Sequence, residues 1–209
     1  MADQTLWPRI RDFLWDFAPL VHESWLEELG DPGFVHDSVK SGVRGPGCSA
    51  RIKRYVLDSL GVEPCFHSFP RGDGSRLLLL DGATLESIAK WLGALSAADQ
   101  LRRVTGGAAV RELKAALSDV YPDVFAYTAY FPWKDKGDGR DIQDWNEIEA
   151  MGASMIGSAL SAVPPPLFAR LKFRFPKNLR VSEPPREISV NIINKLLKLR
   201  FPEAYSLCC

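Results

Sequence analysis

The residues able to bind a metal ion are few and loosely spaced. Cys65 and His67 form a Cys-x-His pair, and Cys48 and His36 lie in neighbouring stretches of loop composition. Structural zinc sites are usually built from closely paired ligands such as Cys-x-x-Cys or His-x-x-x-His, and neither pattern occurs in the sequence. We therefore expect no metal and no cofactor. The alternative is a metal-binding protein or small bacterial enzyme with its site in the loop-rich segment 30–75.

Other kinds of reactive site are not indicated either. The glycines of 42–47 and 72–74 lack the lysine and hydroxyl of a phosphate-binding loop, so they are interpreted as turns. The acidic residues in and after the loop 132–140 do not match the ligand positions of a calcium loop. No Gly-x-Ser-x-Gly motif occurs, and the three histidines all lie in the first third of the chain. The sequence therefore predicts no catalytic residues and a protein that is not an enzyme.

Composition excludes several classes of partner. Among the 209 residues, 26 lysines and arginines balance 26 aspartates and glutamates, so no net field attracts nucleic acid or an anionic membrane. A hydrophobic content of 46% is typical of a globular protein with a core. The longest strictly apolar run, 77–80, is far too short to span a bilayer, and four cysteines do not form a disulfide framework. With no basic leader followed by an apolar stretch, we expect a cytoplasmic protein without membrane insertion.

Apolar residues recur at steps of three and four along most of the chain, which predicts amphipathic helices. The fold class is therefore mainly α, as a single compact helical domain over 1–202 with a loop-rich segment at about 30–75. A minor β element is predicted at about 169–175, where apolar and basic residues alternate, and a second is possible at 76–80. The remaining residues, 203–209, are predicted to form a short mobile tail.

The alternation at 170–175 places basic side chains on one face of the predicted strand. In a protein with no net charge this is a local patch, and such a patch suits docking to an acidic protein surface. The alternative is an edge strand whose solvated face is defended by lysine and arginine. The candidate protein-binding residues of this face are Arg170, Lys172, Arg174, Lys177 and Arg180.

The tryptophans divide into two predicted groups. Trp7, Trp25 and Trp91 fall on apolar faces of predicted helices, so we expect them in the core. Trp133 lies in the polar loop 132–140 and Trp145 lies just after it. Exposed aromatic residues are frequent anchors of protein interfaces, so both are candidate protein-binding residues, with core packing as the alternative for Trp145.

Two stretches of the C-terminal third carry a resemblance to a known family. They read IEAMGASMIGSALSAVPPPLFARLKFRFPKNL and, further on, NIINKLLKLRFPEAYSL, and they resemble the K component of type III secretion sorting platforms, the SctK/YscK family. The order of elements is also similar. Near the N-terminus, FAPLVHESWLEEL is similar to an early box of that family, except that Leu20-Val21 replaces an aromatic residue before the histidine and Glu23 replaces a proline after it.

The resemblance implies a role that the residues alone do not show. It implies a mostly helical, non-enzymatic adaptor, cytoplasmic and peripheral at the inner membrane. Its protein partners would be the forkhead-associated-like domain of the ring protein SctD and the SctQ pods, with the SctL stator and SctN ATPase further inward. The protein would be monomeric when isolated and present in several copies in the apparatus. A secretion chaperone or an effector is the alternative.

Overall fold

The computed structural model describes residues 3–30, 35, 37, 39, 46–63, 69–70, 74–131, 146–179 and 188–208. Every regular element within these residues is helical, which confirms the mainly α class. No helix in this described part is long and apolar enough to cross a membrane. The α-helices are α1 (Asp3–Trp15), α2 (Glu23–Leu26), α3 (Pro46–Ser59), α4 (Gly82–Ser96), α5 (Ala98–Leu101), α6 (Gly107–Leu117), α7 (Asp123–Tyr127), α8 (Asn146–Ala159), α9 (Pro165–Lys172), α10 (Val190–Arg200) and α11 (Pro202–Cys208).

The described residues form two compact units. The first contains residues of Met1–Gly82, Leu160–Asn178 and Glu203–Cys209, and the second contains those of Ala83–Ala159 and Leu179–Pro202. Each unit is assembled from stretches that are distant in sequence, so neither is one continuous segment. The helical assignments made from periodicity are confirmed, whereas the single domain stays a prediction.

In the first unit, α1 buries the face that its apolar spacing predicts. Phe13 and Phe17 have no exposed surface, and their rings meet edge to face with centroids 5.6 Å apart. Pro19 lies in the first turn of a short 3₁₀ helix, Ala18–Leu20, that follows α1. Because proline has no N–H to donate within a helix, it separates α1 from α2, as the sequence predicts.

In the second unit, α4 and α8 cross with their backbones in contact. A Cβ atom added to Gly93 would lie 1.8 Å from the carbonyl oxygen of Ile148. On the facing helix, a Cβ atom added to Gly152 would lie 1.7 Å from the carbonyl oxygen of Ala89. Only glycine fits at either position, so two residues with low helix propensity set the distance between these helices.

The predicted strands are wrong. Residues 165–172 form α9, followed by turns, and residues 75–79 form a 3₁₀ helix. Within α9, Leu167, Arg170 and Leu171 are buried at the spacing of a helix, and after it Phe173, Arg174 and Phe175 are buried in succession. Two of these inward positions are arginines, which made the pattern look like an alternation of apolar and exposed basic residues. Residues Pro202–Cys208 of the predicted tail form α11, and the mobility of the tail stays a prediction.

Candidate protein-binding surface

Two of the three segments that resemble the family, the early box and the first C-terminal stretch, meet in the first unit. Trp25 Nε1 donates a hydrogen bond to the carbonyl oxygen of Phe175 at 2.9 Å. The backbone N–H of Lys177 donates to Ser24 Oγ, also at 2.9 Å. These contacts join residues about 150 positions apart in sequence. The early box and the segment after α9 are therefore one piece of structure.

Local hydrogen bonds at His22 orient the early box. His22 is the residue before α2, and its Nδ1 atom accepts a hydrogen bond from the backbone N–H of Ser24 at 3.2 Å. This interaction satisfies an N–H group that has no partner within the first turn of a helix. The backbone N–H of His22 donates to the carbonyl oxygen of Phe173 at 2.8 Å. The histidine thus acts as a helix cap and as an attachment point to the segment after α9.

Two lysine ammonium groups lie against the side chain of Trp25 at the protein surface. The Nζ atoms of Lys172 and Lys177 lie 5.2 Å and 5.5 Å from its ring centroid. Phe173 packs edge to face against the same ring, with centroids 5.0 Å apart. Lys177 also forms an ion pair with Glu28. We call these five residues the Trp25 cluster.

The Trp25 cluster holds two ammonium groups in defined positions on the protein surface. Both lysines are exposed, and the indole ring attracts each ammonium group through its negative face. Glu28 balances the charge of Lys177, whereas no carboxylate pairs with Lys172 in the described part of the chain. The arrangement can therefore bind a carboxylate of another molecule.

Arg170 does not belong to this surface. Its side chain is 2% exposed, and its Nη1 atom donates to the carbonyl oxygens of Phe13 and, at 3.0 Å, Leu14. Its Nη2 atom donates to the carbonyl oxygen of Glu63 at 2.9 Å. The guanidinium also lies 5.1 Å from the ring centroid of Phe17. Arg170 therefore connects the end of α1, the chain after α3 and α9, which is a structural role.

Arg174 is likewise buried. It donates to the carbonyl oxygens of Leu78, at 3.0 Å, and of Leu80. Removal from water lowers the pKa of Arg174 to about 10, an effect that Asp81 opposes and Arg9 increases. The side chain is thus still a cation at neutral pH. The predicted exposed basic face is wrong for Arg170, which α9 turns inward, and for Arg174, which is buried in the turn after α9. Among the described residues of that face, Lys172 and Lys177 are exposed.

Several predicted residues lie outside the described part of the chain. Arg180, Trp133 and Trp145 are among them, and their protein-binding role stays a prediction. The same holds for the metal candidates His36, Cys65 and His67 and for the side chain of Cys48. In the described residues, no group of three or more histidine, cysteine, aspartate or glutamate side chains could hold a metal ion.

The tryptophans predicted to be core residues have three different environments. Trp91 is 1% exposed, which confirms the prediction for that residue. Trp25 is only partly buried, as its lysine contacts require. The prediction is wrong for Trp7, which is 59% exposed.

The second unit has a row of cations and aromatic rings that the sequence did not reveal. Tyr121 and Phe125 stack edge to face with centroids 5.6 Å apart. Lys114 Nζ lies 5.4 Å from the Tyr121 centroid, and the Arg102 guanidinium lies 5.8 Å from that of Phe125. The spacing of Tyr121 and Phe125 by four positions is the feature of the sequence from which their contact could have been predicted. The arginine and lysine come from other elements, so only the fold brings them to the rings.

A family model matches residues 18–207 of the chain, and it is described as YOP proteins translocation protein K (YscK). The chain belongs to the YscK family. This confirms the resemblance and makes the protein a component of type III secretion. The YscK match includes the Trp25 cluster and most of both units, whereas α1 lies before it. No curated protein and no solved structure matches the chain.

Proposed function

We propose that this protein is a non-enzymatic cytoplasmic adaptor that links the inner-membrane ring protein SctD to the SctQ pods of the type III secretion sorting platform. The observation that carries the proposal is the YscK match over residues 18–207. An adaptor needs surfaces that bind other proteins and needs no reactive groups. The Trp25 cluster is such a surface, and the buried arginines beside it serve the fold.

We further propose that the Trp25 cluster is one of the two docking surfaces, and that it binds an acidic segment of SctD or SctQ. Lys172 and Lys177 supply the charge, and Trp25 supplies a rigid ring that fixes both ammonium groups. Aromatic residues in such positions lose little conformational entropy on binding, so they often contribute much of the binding energy. The second partner would bind elsewhere, and segment 132–145 with Trp133 and Trp145 is our candidate.

The test is a pull-down of the full chain with the SctD cytoplasmic domain and with SctQ from the same secretion system. Lys172→Glu with Lys177→Glu should abolish binding to one partner and preserve binding to the other. Lys198→Glu is the matched control, because Lys198 is an exposed lysine of α10 that should not affect either interaction. Circular dichroism should be unchanged in both variants.

The outcomes separate the adaptor role from the surface assignment. If the wild-type protein binds neither SctD nor SctQ, the adaptor function is refuted. If it binds both and the double lysine variant still does, the adaptor function stands and the Trp25 cluster is not the docking surface. Appearance of the protein in the culture medium during secretion would instead favour an effector.

A further inference from the structure

Two tryptophans on α1 are exposed in a way that the fold does not require. Trp7 and Trp15 are 59% and 56% exposed, whereas Trp91 is 1% exposed. Their rings contact each other edge to face, with centroids 6.0 Å apart. They thus form one continuous aromatic patch, held in place by its own packing. Patches of this kind on a protein surface generally mark an interaction site.

The opposite face of α1 already attaches the helix to the first unit. Phe13 is buried on that face, and Arg9 donates a hydrogen bond to the carbonyl oxygen of Leu79 at 3.2 Å. The two tryptophans lie on the other side of the helix, with more than half of their surface exposed. Because α1 lies before residue 18, where the YscK match begins, family membership does not account for them.

The exposed stripe is symmetric about its centre. Trp7, Arg11 and Trp15 are spaced by four residues, so they lie on successive turns of one helix face. If a second copy of α1 packs antiparallel, Trp7 of each copy meets Trp15 of the other. A twofold interface of this kind requires a surface that is complementary to itself, and this stripe has that property.

The charges beside the tryptophans are also complementary to themselves. Arg11 Nη2 lies 2.9 Å from Asp12 Oδ1, and the side chains are 60% and 41% exposed. An exposed ion pair of this type is weak, so it can be exchanged at little cost. In the antiparallel pair, Arg11 of one copy can reach Asp12 of the other in two equivalent places.

We propose that α1 is a self-association surface, on which a second copy of this chain packs antiparallel through Trp7 and Trp15. The four indole rings would bury about 500 Å² in total, as each is more than half exposed. This is well below the roughly 1,200–2,000 Å² of a stable interface, so the dimer is weak. The protein is monomeric when dilute, and the dimer forms where other proteins hold several copies close together.

The experiment is sedimentation equilibrium of the full chain from low micromolar concentration to about 1 mM. The weight-average mass should rise from the monomer toward the dimer over this range. Trp7→Ala with Trp15→Ala should leave a monomer at every concentration. Tyr130→Ala is the control, because Tyr130 is 54% exposed but lies in the second unit, and its mass profile should match the wild type.

A charge exchange tests the antiparallel arrangement separately. Arg11→Asp places like charges together in both symmetric contacts and should weaken association about fivefold or more at low salt. Adding Asp12→Arg should restore it, since the pairs are then re-formed with reversed polarity. Failure of the double exchange to restore association would refute the antiparallel pairing.

The self-association itself is overturned if the wild type stays monomeric at about 1 mM, or if the tryptophan variant associates as the wild type does. A persistent monomer that co-sediments with phosphatidylglycerol vesicles through Trp7 and Trp15 would assign the patch to a lipid surface instead. Circular dichroism of each variant shows whether α1 and the rest of the fold are retained.

Discussion

Replacing Arg170 by methionine should strongly destabilise the first unit. Methionine preserves much of the apolar volume but leaves the carbonyl oxygens of Phe13, Leu14 and Glu63 without their charged donor. A buried carbonyl that loses its partner costs about 1–3 kcal/mol. The carbonyls of Phe13 and Leu14 share one donor, Nη1 of Arg170, so the three losses are not fully additive. We therefore expect a loss of about 3–5 kcal/mol in the free energy of unfolding.

The assay is urea unfolding followed by far-ultraviolet circular dichroism, supported by thermal unfolding. A loss of this size should lower Tm by about 6–20 °C for a protein of this length. Lys172→Met is the matched control, since it removes an exposed cation from the same helix and should cost less than about 1 kcal/mol. Arg170→Lys should be intermediate, because an ammonium group cannot reach all three carbonyls. If Arg170→Met costs less than about 1 kcal/mol, the guanidinium does not hold these segments together.

Two further predictions concern the close helix crossing and the second buried arginine. Gly152→Ala places a Cβ atom 1.7 Å from the carbonyl oxygen of Ala89, so it should cost at least about 3 kcal/mol, whereas Gly107→Ala meets nothing within 4 Å and should be neutral or slightly stabilising. Urea midpoints of the two variants decide this, and equal midpoints would contradict the crossing geometry. For Arg174, the lowered pKa of about 10 means that the folded and unfolded states both bind the proton below that pH. The stability difference between wild type and Arg174→Met should therefore be constant from about pH 6 to 9. Above about pH 10 the unfolded state holds the proton more often, so the difference should shift in favour of the wild type, and a shift near pH 7 would contradict a buried cation at neutral pH.

The amino-acid sequence by itself determined the helical class and the family. Apolar spacing of three and four residues depends only on the geometry of a helix, so α1, α3, α6 and α10 were predictable without knowledge of their neighbours. The family segments are likewise a property of the linear chain. The absence of recognisable catalytic motifs could be argued in the same way, because such motifs are defined by residue types at fixed spacing.

Only the tertiary structure decided which charged residues face outward. Arg170 and Lys172 are two positions apart in a short helix, and the sequence assigned both to a surface. Three backbone carbonyls from distant parts of the chain make the interior favourable for Arg170, and no local pattern reports their position. Trp7 illustrates the converse, since its apolar side chain predicts burial but 59% of its surface is exposed in the described part of the chain. Burial of a side chain depends on what lies opposite it, and that is a property of the folded molecule.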